Sequence, residues 1–353
     1  MSRRLPVYFL VDVSESMAGD EVYRLEEALR GVMSALRKDP HCLETVWVEF
    51  IAFAGKAEVL AASTELIHAR VPELPLGGGT AMGTGLELLM TRITDQLRVA
   101  DEHQKGDWKP LVFLLTDGHP TDDCTQAVER WKRSFESRCT LVAISMSGSG
   151  DNALLKKLSD KVVAFFDTVP ESLHSFVQWI SQSILSASKN VVQDGNLELH
   201  LPAEGNGHIV NIEEVVAGQV DERFIIVVGR CEKSQHPYLL KYELAEELIR
   251  TLNLSPEHAD ARYILKSAVA LKESYFDWSA EGNRPAIDAS QILGQPSCPH
   301  CGNDYSIAVD GNCGGVHCVS GAGVHVCPWC STPGDYGSNE EGGRGLTIER
   351  GLG

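Results

Sequence analysis

Between residue 5 and about residue 188 the chain alternates short apolar runs with longer segments whose apolar residues recur every three or four positions. That alternation constrains the fold more than any other feature. Continuous apolar runs read as strands covered on both faces, and the helix-period segments between them supply the cover. The runs fall at residues 5 to 11, 45 to 53, 111 to 115, 139 to 145 and 162 to 166. Asp20 is placed to cap a helix whose buried face is Val22, Leu25, Leu29, Val32, Met33 and Leu36. The segment from Pro170 repeats the pattern with Leu173, Phe176, Val177, Ile180 and Ile184. The expected fold of residues 1–188 is a doubly wound, mostly parallel α/β sheet of Rossmann-like type, which binds ligands beyond the carboxyl ends of its strands.

Two of those carboxyl ends carry aspartates. The first run ends in Leu10-Val-Asp12-Val-Ser14-Glu-Ser16-Met17, and the third in Leu114-Leu115-Thr116-Asp117. Side chains two apart at a strand end fall on one side, so Asp12, Ser14 and Ser16 can converge on a hard cation that prefers oxygen. Thr80, after the triplet Gly77-Gly78-Gly79, adds another hydroxyl and Asp117 a second carboxylate. Taken alone, Asp-x-Ser-x-Ser also fits a turn in which Asp and Ser cap the following backbone. All five positions together resemble the metal-ion-dependent adhesion site of von Willebrand factor A domains. That resemblance implies a site for Mg²⁺, or Ca²⁺ or Mn²⁺, at Asp12, Ser14, Ser16, Thr80 and Asp117.

A chain of 353 residues has room for two or three domains, and 43% hydrophobic content is ordinary for a globular core. The 31 Lys and Arg stand against 49 Asp and Glu, a formal charge of -18 that repels nucleic acid and anionic membranes. Basic proteins and metal ions are the expected partners. No stretch reaches about 18 uncharged apolar residues, so no membrane span is expected. Asp12 interrupts the N-terminal apolar run and no small-residue cleavage site follows, which predicts a cytoplasmic protein.

After residue 189 the pattern changes. Leu197, Leu199 and Leu201 alternate with polar residues, and Phe224 to Val228 form an apolar run; both read as strands. Ser255-Pro256-Glu257 reads as a helix start leading into Tyr263, Ile264, Ala268 and Leu271. Residues 189–293 are expected to form an α+β region and 294–331 a zinc ribbon. Residues 332–353, rich in Gly and polar residues, are expected to be disordered.

Of ten cysteines, Cys42, Cys124, Cys139 and Cys231 are scattered and six lie between Cys298 and Cys330. In a reducing compartment such a cluster favours metal over disulfides. Cys298-Pro-His-Cys301 and Cys327-Pro-Trp-Cys330 are matching turns, and pairing them predicts one closed Zn²⁺ site of four thiolates with a structural role. A redox pair is the alternative, but the helix start that activates such a thiol is missing. Cys313, His317, Cys318 and His325 remain secondary candidates. The segment from Cys298 to Cys330 contains neither Lys nor Arg, which argues against phosphate contacts and for a protein-facing role.

An N-terminal A domain followed by Asp221-Glu-Arg-Phe224, Gly229-Arg-Cys231, Pro237-Tyr-Leu-Leu240-Lys-Tyr242 and Cys327-Pro-Trp-Cys330 resembles the TerY family. The resemblance implies a bacterial cytoplasmic protein of the tellurium-resistance and stress-response systems, accompanied by a protein-kinase-like component and a PP2C-type phosphatase. One departure stands out: where a Cys-x-Cys-Gly element is expected, the chain reads Gly311-Asn312-Cys313-Gly314. The leading functional expectation is a non-enzymatic adaptor whose divalent ion recruits an acidic side chain of a partner. An adaptor for an AAA-type ATPase is a second reading. A metal-dependent hydrolase or phosphotransferase is a third: His119 beside Asp117 offers a base, but Ser14 occupies the place where that chemistry needs a second carboxylate. The glycines before Thr80 lack the lysine of a phosphate-binding loop.

Overall fold

The computed structural model describes residues 3–100, 106–117, 119–146, 151–165, 170–190, 209–211, 224–245, 262–280, 286–337 and 347–351. The chain divides into two compact units. One comprises Met1–Val13, Asp20–Leu74 and Thr80–Gln219; the other comprises Ser14–Gly19, Pro75–Gly79 and Val220–Gly353.

The first unit is built on seven strands: β1 (Leu5–Asp12), β2 (Val46–Phe53), β3 (Ala57–Glu65), β4 (Leu111–Thr116), β5 (Thr140–Met146), β6 (Val162–Phe165) and β7 (Ile209–Asn211). Their order is β3-β2-β1-β4-β5-β6-β7. Neighbours from β2 through β6 run parallel, while β3 and β7 add antiparallel edges. The helices are α1 (Asp20–Leu36), α2 (Pro40–Thr45), α3 (Met82–Gln96), α4 (Thr125–Ser134), α5 (Asn152–Leu158) and α6 (Pro170–Asn190). Asp20 is the first helical residue of α1, and Asp39 caps α2 by accepting from the His41 and Cys42 N–H groups.

Every residue of β1 is buried, as a central parallel strand requires. Alternation along the strand sends its side chains to opposite faces. Phe9 stacks on Phe50 and Phe113 from the flanking strands at centroid distances of 5.2 and 5.4 Å. Tyr8 and Leu10 join Met82, Leu86 and Leu89 of α3 and Trp131 of α4 in a buried cluster. Such burial contributes about 1.5–3 kcal/mol for each large apolar side chain. Helices α1 and α6 approach so closely that a methyl group at Gly31 would meet Val177 at 3.0 Å. Glu49 on β2 is buried, and its carboxylate accepts from Arg92 of α3 at 2.6 Å and from the Ser63 N–H at 3.0 Å.

The second unit carries β8 (Phe224–Arg230), β9 (Pro237–Leu244), β10 (Tyr263–Ala270), α7 (Tyr275–Trp278), β11 (Ala286–Asp288), β12 (Ile292–Leu293), β13 (Tyr305–Val309), β14 (Val316–Val319), β15 (Gly323–Val326), β16 (Pro333–Tyr336) and β17 (Thr347–Glu349). Six of these strands form one sheet in the order β12-β10-β9-β8-β14-β13. Its core joins Ile225, Val227, Leu240 and Tyr242 to Cys298 and Cys318.

Three sequence expectations change here. Tyr263, Ile264 and Ala268, read as helical, lie on strand β10, which pairs antiparallel with β9 from Tyr263 to Ala270. Their spacing suits either period, and the pairing with β9 decides for the strand. The cysteine-rich segment is not a separate ribbon, because β13 and β14 complete the main sheet, with β14 parallel to β8. Residues 332–353 are not wholly disordered: β16 pairs with β15, and β17 pairs with β11 and buries Ile348. Backbone pairing needs little apolar composition, so a Gly-rich sequence did not reveal it. Leu197, Leu199, Leu201 and Ser255-Pro256-Glu257 lie outside the described residues.

Candidate metal centres

In the first unit, Asp12 is the last residue of β1, and the register Val11↔Leu115 sets it level with Thr116 at the end of β4. The Thr116 hydroxyl donates to Asp12 Oδ2 at 2.6 Å, and Asp117 follows directly. Two central parallel strands thus present their aspartates at the same, carboxyl-terminal end. Thr80 is held at that end by three backbone ties. Its N–H donates to Thr121 Oγ1 at 2.8 Å, its carbonyl accepts from the Thr121 N–H at 2.9 Å, and the next residue, Ala81, donates to Ala54 O just beyond β2. Asp12, Thr80 and Asp117 are all buried. The Thr80 hydroxyl oxygen is buried with no hydrogen-bond partner among the described residues, and His119 Nδ1 shares that condition. An unpartnered buried hydroxyl costs about 1–3 kcal/mol, which a cation accepting its lone pair would offset. The residues present therefore fit an oxygen-preferring divalent ion.

In the second unit, the Ser14 and Ser16 hydroxyls lie 2.9 Å apart on the loop that continues from Asp12 and Val13, and both residues are buried. The same loop is tied down within that unit: Ser16 O accepts from Lys241 Nζ, and the Glu15 carboxylate accepts from the Tyr275 hydroxyl. Lys241, buried on β9, lies within the Pro237–Tyr242 motif but was given no role by it, and Tyr275 lies in no sequence motif.

The cysteines group differently from the sequence expectation. Cys298 and Cys301 do not join Cys327 and Cys330. The ligand atoms of Cys231, Cys298, Cys301 and Cys318 all lie within 4.8 Å of one another, as do those of Asp310, Cys313, Cys327 and Cys330. The fold explains the regrouping. Cys231 immediately follows β8, and β8 pairs with β14, which carries Cys318, so sheet register brings these two thiols together from distant parts of the chain. Bonds of 2.3 Å at the tetrahedral angle set two zinc-bound sulfurs roughly 3.8 Å apart. Cys301 Sγ and Cys318 Sγ are 3.7 Å apart, and so are Cys313 Sγ and Cys327 Sγ.

The remaining candidates are placed elsewhere. Both ring nitrogens of His317 are engaged, Nε2 at 2.8 Å from the Tyr336 hydroxyl and Nδ1 at 3.2 Å from Cys318 O. His325 Nδ1 lies 2.8 Å from Glu232 and Nε2 3.0 Å from Gly321 O. Neither histidine enters a cysteine group. Burial favours the neutral His317 ring and pushes its pKa down. At Cys231 burial opposes the thiolate, but hydrogen bonds from Ser234, Cys301 and the Lys233 backbone bring its pKa down to about 7. Burial pushes the thiols outside the groups up, Cys42 to about 11 and Cys124 and Cys139 to about 12, which suits packing and not ligation.

One backbone device recurs four times. Residue i accepts from the N–H of i+4 through its carbonyl and donates its own N–H to the carbonyl of i+5, with i being Cys231, Cys298, Asp310 and Cys327. The residue at i+4 has positive φ in each: Gln235 (64°), Gly302 (73°), Gly314 (72°) and Ser331 (60°). These are metal-knuckle turns, and the sequence shows only two of them as Cys-x-x-Cys. Cys231-Glu-Lys-Ser234 lacks the second thiol and Asp310-Gly-Asn-Cys313 lacks the first.

Known proteins agree with both halves of this architecture. The von Willebrand factor type A domain family matches residues 7–179, and the TerY-C metal binding domain family matches residues 221–353. The chain thus joins a von Willebrand factor A domain to a cysteine-rich metal-binding module. That pairing matches the domain architecture of TerY-like proteins. Similar solved structures include a von Willebrand factor type A protein from Catenulispora acidiphila (18% identity, 51% of this chain and 42% of that one, TM-score 0.40). Another is an ArnB paralog from Sulfolobus acidocaldarius (16%, 50% and 45%, TM-score 0.36). A third is proximal thread matrix protein 1 from the mussel byssus with a zinc-occupied MIDAS motif (16%, 51% and 46%, TM-score 0.36). The chain spans less than half the length of each of these three. No curated protein matches it. Among the described residues, no helix is long and apolar enough to cross a membrane.

Proposed function

We propose that the chain is a non-enzymatic, metal-dependent adaptor that captures an acidic side chain of a partner protein. The divalent cation, Mg²⁺ or alternatively Ca²⁺ or Mn²⁺, is held by Asp12, Ser14, Ser16, Thr80 and Asp117. The observation that carries this reading is the buried Thr80 hydroxyl with no partner among the described residues. Three of the five ligands are neutral hydroxyls, so the ion keeps positive charge for an incoming Asp or Glu. Thr116 orients the Asp12 carboxylate, and the ties to Thr121 fix Thr80 before any ion arrives. The cysteine-rich module contributes a structural Zn²⁺ at Cys231, Cys298, Cys301 and Cys318, whose closed thiolate set leaves no position for substrate.

We assign this adaptor to a bacterial cytoplasmic tellurite-resistance and stress-response system, with a kinase-like protein and a PP2C-type phosphatase as partners, a reading supported by the TerY resemblance. Co-purification of those two candidates with the full chain, in Mg²⁺ and in chelator, tests the reading. Capture in Mg²⁺ that is lost in chelator and in Asp12→Ala is expected. Capture that survives both removes the metal from the interaction, and sustained phosphoester hydrolysis that disappears with Asp12 makes the protein an enzyme.

A further inference from the structure

The fourth knuckle-type turn does not start with a cysteine. Asp310 occupies its first position, followed by Gly311, Asn312, Cys313 and the positive-φ Gly314. In the other three turns the first residue is a cysteine whose sulfur accepts from the backbone N–H groups two and three residues on. Asp310 Oδ1 does the same, accepting from the Asn312 N–H at 3.0 Å and the Cys313 N–H at 2.8 Å. The carboxylate oxygen therefore stands where a ligand sulfur stands in the matched turns.

Spacing supports the same conclusion. A metal–sulfur bond of 2.3 Å and a metal–oxygen bond of 2.0–2.2 Å at the tetrahedral angle set sulfur and oxygen roughly 3.6 Å apart. Cys330 Sγ and Asp310 Oδ1 are separated by 3.5 Å, beside the 3.7 Å between Cys313 Sγ and Cys327 Sγ. Asp310 is buried, and its other oxygen, Oδ2, accepts from the Tyr336 hydroxyl at 3.0 Å; that hydroxyl lies 2.8 Å from His317 Nε2. A ligating carboxylate is commonly held by such outer hydrogen bonds.

We propose that Asp310, Cys313, Cys327 and Cys330 form a second, mixed carboxylate–thiolate site for a zinc-class ion, more exchangeable than the all-thiolate site. The assignment goes beyond the adaptor reading and does not depend on it. Three soft thiolates select zinc over magnesium or calcium, while the single hard oxygen weakens the hold relative to four sulfurs. Solvent access adds to the difference. Cys313 is exposed, Cys330 half-buried and Cys327 buried, whereas in the all-thiolate group Cys231, Cys298 and Cys318 are buried and Cys301 is half-buried, so only the mixed group has an exposed ligand.

The full-length chain, purified with zinc and then challenged with a chelator, provides the test. About two zinc ions per chain are expected, released in two phases. Asp310→Ala should lose one ion, the fast-released one. Asp310→Cys, which keeps an acceptor in the turn, should retain both ions and slow the fast phase. In its cobalt-substituted form the thiolate-to-cobalt absorption should rise from seven thiolates to eight. A wild-type content of one ion, retention of both ions by Asp310→Ala, or no change of spectrum and release rate in Asp310→Cys would overturn the assignment and leave Asp310 as a turn cap. Release of both wild-type ions in one phase would overturn the difference in exchange.

Discussion

Replacing Cys231 by Ala separates the structural grouping of the cysteines from the one their sequence suggests. Cys231 is fully buried, and its sulfur belongs with those of Cys298, Cys301 and Cys318. Pairing the two Cys-Pro-x-Cys turns would leave it a bystander. A structural zinc of this kind contributes on the order of 10–16 kcal/mol of apparent binding free energy, nearly all of it linked to folding. If loss of one thiolate weakens the site about 1,000-fold, the stability conferred by the ion falls by about 4 kcal/mol. The cavity left by one sulfur adds only about 1 kcal/mol. Zinc per chain after a fixed chelator challenge, measured beside thermal unfolding, reads both effects. Loss of one zinc and a markedly lower melting temperature are expected for Cys231→Ala, and neither for Cys42→Ala, which removes an equally buried thiol outside the groups. Full zinc retention in Cys231→Ala would refute the grouping.

Thr80→Val exchanges the unpartnered hydroxyl for a methyl group of the same shape. It should raise the stability of the metal-free protein by about 1–2 kcal/mol while weakening Mg²⁺ binding, so denaturation with and without Mg²⁺ should show the two effects in opposite directions. Arg92→Ala leaves the buried Glu49 carboxylate with the Ser63 N–H but without its guanidinium, and a loss of about 3 kcal/mol in urea unfolding is expected. A loss under about 1 kcal/mol would show that solvent already screens the pair. Thiol labelling at pH 8 should find Cys42, Cys124 and Cys139 silent until denaturation, because burial pushes their pKa up to about 11, 12 and 12. Chelation alone should expose Cys231, Cys298, Cys301, Cys313, Cys318, Cys327 and Cys330 to the reagent.

The parallel core of the first unit was legible because each buried strand is a continuous apolar run, and the aspartates at the ends of β1 and β4 were legible because strand ends dictate where alternate side chains go. Strand β3 was not. It is a half-exposed edge strand whose short apolar stretch, Val59 to Ala62, is flanked by Glu58, Ser63, Thr64 and Glu65, so it carries neither a long apolar run nor a clean alternation. The cysteine positions were visible, but their partnership was not. Local turns fix which thiols point inward, and only the pairing of β8 with β14 decides that Cys231 meets Cys318. Cys231-Glu-Lys-Ser234 and Asp310-Gly-Asn-Cys313 hid because half of each knuckle had changed residue type, although Gly314 after Cys313 matches Gly302 after Cys301. Buried Lys241 and Tyr275 sit on elements whose pattern reads as ordinary core, so nothing in the sequence tied them to the loop of Ser14 and Ser16.

Calorimetric titration of Mg²⁺ into the zinc-loaded full chain, wild type against Asp117→Ala, tests the central claim most directly. The wild type should bind about one Mg²⁺ per chain. Asp117→Ala should show no binding heat while its circular dichroism and zinc content stay unchanged. Equal Mg²⁺ binding by the two proteins would contradict a cation held between the ends of β1 and β4.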